Sequence, residues 1–140
     1  MKIRQTLRKA PVTVPPECTI AEAAKLMYQH QVGTLLVMAG DELRGLVTDR
    51  DLVVRALAAG ADSSTPVGEV MSHPVICVQG DDDIVEALRI LRTSSFRRLP
   101  VLEEDQLAGI LTVDDLLVGL VLELAAAVSP IAAEVVAHKP

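Results

Sequence analysis

Positive charge is in short supply in this chain. Thirteen Lys and Arg face nineteen Asp and Glu, for a formal net charge of −6. Nucleic-acid recognition needs clustered Lys and Arg. The one basic stretch, residues 2–9, is short enough to stay solvated, so nucleic acid is not an expected partner. Cysteine is scarce as well. Cys18 and Cys77 stand outside any C-x-x-C or Cys/His metal spacing and read as the reduced thiols of a cytoplasmic protein. Residues 1–9 alternate polar and apolar, without the apolar segment of a signal peptide. The apolar run at 116–128 is interrupted by Glu123 and falls short of the ~20 residues that cross a bilayer. A soluble protein with no membrane partner is expected.

Reactive groupings are missing too. His30, His73 and His138 are scattered, with no Cys, His or Asp at ligand spacing, so no metal is expected. Asp81, Asp82 and Asp83 precede a helical pattern, where acidic side chains meet the positive helix end. No Ser/His/Asp or Cys/His arrangement occurs, and the paired carboxylates sit at helix starts without an acid partner. An enzyme is not expected. Phe96, one of two aromatics, is expected to pack in the core. Half of the residues are hydrophobic, enough for a globular core.

What the chain does contain is itself, twice. A shift of 64 residues lays GLVTDRD (45–51) on GILTVDD (109–115) and needs no gap elsewhere. The same register carries Val14 to Val78, Ile20 to Ile84, Glu22 to Glu86, Leu35 to Leu99 and Val37 to Val101.

Each copy has one rhythm. A short apolar stretch (12–14, 75–78) leads to a polar turn. Apolar residues at helical spacing follow: Ile20, Ala23, Ala24 and Met27, then Ile84, Ala87, Leu88 and Leu91. Thr19-x-x-Glu22 and Asp83-x-x-Glu86 mark the helix starts as capping boxes. Two β-rich runs joined by a polar turn come next, 34–38 with 43–47 and 98–102 with 107–111. A second helix starts after each motif Thr. Ser129-Pro130 is expected to break the last one before a final piece at 131–138.

The predicted unit is therefore β-α-β-β-α, written twice, in an α/β (α+β) fold. Residues 1–62 and 63–124 form the repeats and 125–140 a C-terminal helical extension. One copy alone buries little. Two copies packed sheet to sheet about a pseudo-two-fold axis would share one core and leave clefts between them, where small molecules bind. The apolar tail after Leu120 calls for cover, and a second chain is the expected one.

Thr-x-x-Asp ahead of an apolar helical run fits a helix cap, with Asp49 or Asp114 equally able to meet the positive helix end. It also fits a binding turn. A strand-to-helix turn presents free amides to phosphate or ribose oxygens, and a carboxylate there can take both ribose hydroxyls. The two uses are compatible.

The doubled unit, the Gly-hydrophobic-hydrophobic-Thr-x-x-Asp ending and the SFRRLPV strand resemble a pair of CBS domains, the Bateman module named after cystathionine β-synthase. The resemblance runs from Ile3 to about Leu122. TDRDLVVRAL is similar to the free-standing bacterial type, which carries no attached enzyme.

The resemblance implies that the motif Asp holds ribose hydroxyls, with the motif Thr beside ribose or phosphate: Asp51 with Thr48, and Asp115 with Thr112. It implies a purine held by aliphatic residues of the other copy's first strand. These are Pro11 and Val12 for the Asp115 cleft, where Ile110 is also a candidate, and Val75 and Ile76 for the Asp51 cleft. Arg97 and Arg98 would meet phosphates, where the first copy has Gly33 and Thr34. Because Arg forks onto phosphate and Thr does not, the Asp115 cleft is expected to bind better, with arginines that the Asp51 cleft lacks. The implied ligands are AMP, ADP or ATP, with S-adenosylmethionine and NAD as further candidates, and no cofactor is required. The implied protein is a non-catalytic regulatory sensor, a homodimer that signals to another protein. The alternative is a ligand-free structural or protein-interaction dimer.

Overall fold

The computed structural model describes residues 1–8, 10–73, 75–94 and 97–137, so Phe96 and His138, singled out above, lie outside it. Each repeat forms a three-stranded sheet. In the first, β1 (Thr13–Val14) pairs parallel with β2 (Thr34–Ala39), and β2 pairs antiparallel with β3 (Glu42–Thr48). In the second, β4 (Val78–Gln79), β5 (Arg98–Glu103) and β6 (Gln106–Thr112) repeat that order and those directions. Helix α1 (Ile20–His30) and helix α3 (Ile84–Thr93) supply the parallel crossovers. Helix α2 (Asp49–Asp51), which continues as a π-helical stretch (Leu52–Leu57), and helix α4 (Val113–Ala137) follow the motif threonines.

The local chemistry explains the starts and stops. Thr19 Oγ1 accepts from Glu22 N at 3.1 Å and Glu22 Oε2 accepts from Thr19 N at 3.0 Å, the expected capping box. The matching box is not formed in the second repeat. Asp83 Oδ1 accepts from Val85 N at 3.0 Å, and Glu86 turns to Arg89, one helical turn on, with which it makes a paired ion contact. The hairpin turns take left-handed backbone at Gly40 (φ 61°) in the first repeat, and at Glu104 and Asp105 (φ 49° and 62°) in the second.

The expected single core is two. Val14, Met27, Leu35, Val37 and Val47 bury with Val67 and Val70. Val78, Ile84, Leu99, Val101, Leu111 and Leu116 bury with Ile3. The segment that leads into each repeat thus packs on the other repeat's core. A 3-10 turn at Ile3–Gln5 docks by Ile3 N to Asp82 O (2.9 Å) and Arg4 N to Gly80 O (3.0 Å). Its counterpart at Val67–Glu69 docks by Val67 N to Cys18 O (2.7 Å) and Gly68 N to Pro16 O (3.0 Å). These bonds are related by the 64-residue repeat, so the exchange is symmetric and ties the halves together. Leu36, Leu46 and Pro100 are buried too. Strand alternation puts Leu36 on the sheet face opposite Leu35 and Val37.

Helix α4 runs unbroken through Pro130, where the sequence predicted a break. A proline removes one backbone donor and kinks a helix, but the turns on either side can continue it. No helix among the described residues is long and apolar enough to cross a membrane.

Candidate ligand-binding clefts

Both motifs close the same ring at a strand-to-helix turn. Thr48 N donates to Asp51 Oδ2 at 2.9 Å, and Asp51 N donates to Thr48 Oγ1 at 3.1 Å. Thr112 N donates to Asp115 Oδ2 at 3.0 Å, and Asp115 N donates to Thr112 Oγ1 at 3.2 Å. The threonines therefore cap the helix starts, and Asp51 and Asp115, not Asp49 or Asp114, close the box. Each ring uses one carboxylate oxygen and leaves the other.

That second oxygen differs between the repeats. Asp51 is buried, and its Oδ1 faces Arg55 Nε at 3.6 Å. The position equivalent to Arg55 is Gly119, packed against Thr6 and Met1. Asp115 Oδ1 consequently has no hydrogen-bond or ion-pair partner among the described residues. One motif carboxylate is spent within the fold, and the other is half open.

Each motif borders a cleft. The Asp115 cleft, about 420 Å³, is lined by Arg8, Pro11, Val12, Gly33, Thr34, Arg98, Ile110, Thr112 and Asp115, among others. The Asp51 cleft, about 330 Å³, is lined by Thr34, Thr48, Asp49, Asp51, Val75, Ile76, Arg97 and Arg98, among others. Both volumes lie within the ~300–1,000 Å³ usual for small-molecule sites. Every residue picked from the sequence therefore borders one cleft or the other.

The division of the arginines differs from the expectation. Arg97 lines the Asp51 cleft and Arg98 lines both. Gly33, assigned to the first motif, lies in the cleft of the second. Thr34 lines both. The reason is the pseudo-symmetry: Thr34 pairs in register with Thr48 and Arg98 with Thr112, so β2 and β5 each start where the two clefts meet. Sequence reasoning could place a residue on a strand, but not beside both clefts.

Two polar features of this junction are unspent. Thr34 Oγ1 is buried and, among the described residues, has no hydrogen-bond partner. Neither Arg97 nor Arg98 is ion-paired with a carboxylate of the described residues, although acids outnumber bases in the chain. The sequence reading also passed over Arg8 and did not place Asp49 at a cleft. Arg8 lies close before Pro11 and Val12, and that proximity was the available signal.

A larger hollow of about 960 Å³ near the hairpin turns is lined by Met38, Arg44, Met71, His73, Cys77 and Leu107, among others. It holds neither motif, and Arg44 is already paired with Glu42 at 3.4 Å. It is the less apt site despite its size. Among the described residues, no three or more His, Cys, Asp or Glu are grouped so as to hold a metal.

A family model for the CBS domain matches residues 3–57 and again 67–121. The chain belongs to the CBS domain family. Its two CBS repeats are similar to those of the CBS domain-containing protein YhcV of Bacillus subtilis, 38% identical over 117 residues and 84% of each chain. They are also similar to Hypoxic Response Protein I, whose crystal structure with two coordinated zinc ions is 33% identical. That match covers 82% of this chain and 95% of the other, with a TM-score of 0.74. A CBS domain protein of Pyrobaculum aerophilum complexed with AMP has a TM-score of 0.78 at 25% identity, over 90% of this chain and 99% of that one.

Proposed function

We propose that this CBS pair is a non-catalytic sensor that binds an adenosine-containing ligand, AMP, ADP or ATP, in the clefts between its repeats. The observation that carries the proposal is the unspent polarity where the clefts meet. Arg98 and Thr34 line the same two clefts. Among the described residues, the guanidinium has no carboxylate partner and the buried hydroxyl no partner at all. A buried hydroxyl without a partner costs stability, and a ligand oxygen would satisfy it. In the Asp115 cleft, the free carboxylate oxygen would take the ribose diol, Pro11 and Val12 would flank the base, and Arg98 and Arg8 would meet phosphate. The AMP bound by the Pyrobaculum relative supports this choice of ligand class. S-adenosylmethionine and NAD share the adenosine and remain within it.

The Asp51 cleft supports a second reading of itself. Its carboxylate is engaged by both Thr48 and Arg55, so its motif serves structure first and binds ribose less well. The stronger site is then the Asp115 cleft, as the sequence suggested, but by virtue of its carboxylate and not of sole possession of the arginines.

Regulation would follow from population shift: a ligand that prefers one arrangement of the repeats biases the pair toward it. The partner surface we propose is α4. Leu117, Val121, Leu124, Val128 and Ile131 repeat at alternating spacings of four and three, and each is at least 48% exposed. That spacing is a coiled-coil seam, and a second copy in a homodimer would cover it. A cytoplasmic setting fits both the nucleotide and the thiols.

A thermal-shift panel of AMP, ADP, ATP, S-adenosylmethionine and NAD tests the proposal. A ligand that binds the folded state raises Tm progressively with its concentration. No shift with any of the five overturns it in favour of a structural dimer.

A further inference from the structure

Arg98 borders both clefts, and it has one guanidinium. It is half-buried at the start of β5, opposite Thr112, the Thr of the Asp115 motif. Its Nη2 also lies 3.6 Å from the point where a Cβ on Gly33 would stand, and the Asp49 carboxylate lies 3.0 Å from that same point. Gly33 belongs to the Asp115 cleft and Asp49 to the Asp51 cleft. The absence of a side chain at residue 33 thus leaves Arg98 room where the clefts meet. The equivalent residue of the first repeat, Thr34, also borders both clefts but offers no charge.

We propose that Arg98 is a shared phosphate anchor that makes the two clefts compete, so that a phosphate-bearing nucleotide in one weakens binding of the next in the other. This rests on the nucleotide-binding reading above and adds its regulation. A forked Arg–phosphate contact is bidentate and directional, so one guanidinium does not serve two phosphates in separate clefts. The first nucleotide takes Arg98. The second is left with Arg97 in the Asp51 cleft, or Arg8 in the Asp115 cleft. Adenosine carries no phosphate and makes no claim on Arg98, so it fills the two clefts independently.

The coupling expected is within the range of ordinary allosteric effects, about 5–150-fold. The pair would then respond over a wide nucleotide range, with one cleft filled at low concentration and the other only at high concentration.

Calorimetric titration of AMP and of adenosine into the intact protein tests this, with Asp51→Asn and Asp115→Asn isolating each cleft. Asn keeps an acceptor for the motif amide, and thermal melts check that both variants fold. With AMP, the second event in the wild-type protein is expected at least fivefold weaker than either isolated cleft. With adenosine, no such excess appears. Arg98→Thr, the residue already present at the matching position of the first repeat, weakens AMP in both isolated clefts and removes the excess. Should the Asn variants unfold, the AMP and adenosine titrations of wild type and Arg98→Thr still decide. The ratio of the two AMP constants must exceed that for adenosine, and only in wild type. Two AMP events equal to the isolated clefts, or an Arg98→Thr effect confined to one cleft, overturn the sharing while leaving nucleotide binding intact. Failure of both AMP and adenosine to bind overturns sharing and the nucleotide reading together.

Discussion

Thr34 and Arg98 hold the same place in the two repeats, 64 residues apart, and each borders both clefts. Among the described residues, one is a buried hydroxyl without a partner and the other a guanidinium without a carboxylate. The junction of the clefts is therefore polar on both sides and satisfied on neither.

Thr34→Val separates stability from binding at this junction. Valine has the shape of threonine and removes an unsatisfied buried hydroxyl, a group that costs roughly 1–3 kcal/mol when unpaired. The ligand-free variant is expected to melt no lower than wild type, and about 1 kcal/mol more stable by urea titration. AMP affinity should drop by roughly fivefold to tenfold, the worth of one hydrogen bond. A variant that melts lower and binds AMP unchanged contradicts the role given to Thr34.

The motif glycines predict unequal costs. Gly45 and Gly109 lie inside β3 and β6, and at Gly45 a peptide from outside the sheet crosses the strand. A Cβ on Gly45 would stand 2.6 Å from Met71 Sδ and 2.7 Å from the backbone oxygen of Ser72, which itself accepts from Leu46 N at 3.0 Å. The three atoms nearest to a Cβ on Gly109 all belong to the Leu7 side chain, the first at 2.9 Å. Backbone cannot yield as a leucine tip does, so Gly45→Ala should cost about 2–3 kcal/mol and Gly109→Ala about 1. Denaturant midpoints compare them, and equal costs would refute the crossing as the cause.

Much of this fold could be read from the chain alone. The 64-residue register placed both sheets, because hydrophobic periodicity and the motif recur without a gap. With the family resemblance it also led to residues that border the clefts, since strand ends and the motif turn lie there, but not to Arg8 or Asp49. The two separate cores were not legible. Nothing local in Ile3 or Val67 says that each packs on the other repeat. That is a long-range outcome of chain exchange. The sharing of Arg98 was hidden for the same reason, since a one-dimensional alignment assigns each residue to one repeat. Glu86 was misread because the capping pattern does not weigh a competing Arg one turn away.

The two motif carboxylates should fail differently. Asp51 holds its helix start and faces Arg55, and it is buried, whereas Asp115 has an oxygen to spare. Loss of a cap costs about 0.5–2 kcal/mol. Asp51→Ala is expected at or above the upper end, because it also removes the partner of Arg55, and Asp115→Ala nearer the lower end. For AMP binding the order reverses, with Asp115→Ala the more damaging. Paired melting curves and AMP titrations check both orders at once.

The two thiols should be sluggish. Burial pushes the Cys18 thiol above its ordinary range, with the nearby Glu22 carboxylate adding to it, and burial does the same for Cys77. A raised thiol pKa leaves less thiolate at pH 8, and thiolate is the nucleophile. Iodoacetamide should modify both more slowly than a small free thiol at that pH, and Cys18, the more buried, more slowly than Cys77. Urea should remove the difference. Fast labelling of the native protein would show that the Cys18 site opens readily.

The most direct test of the central claim looks at the clefts themselves. In a protein labelled at the threonine methyl groups, AMP should shift the NMR signals of Thr34 and Thr112, which line the Asp115 cleft. Thr93, at the far end of α3 and outside both clefts, should stay in place. A spectrum unchanged at saturating AMP, or one in which Thr93 moves as far as Thr34, would contradict it.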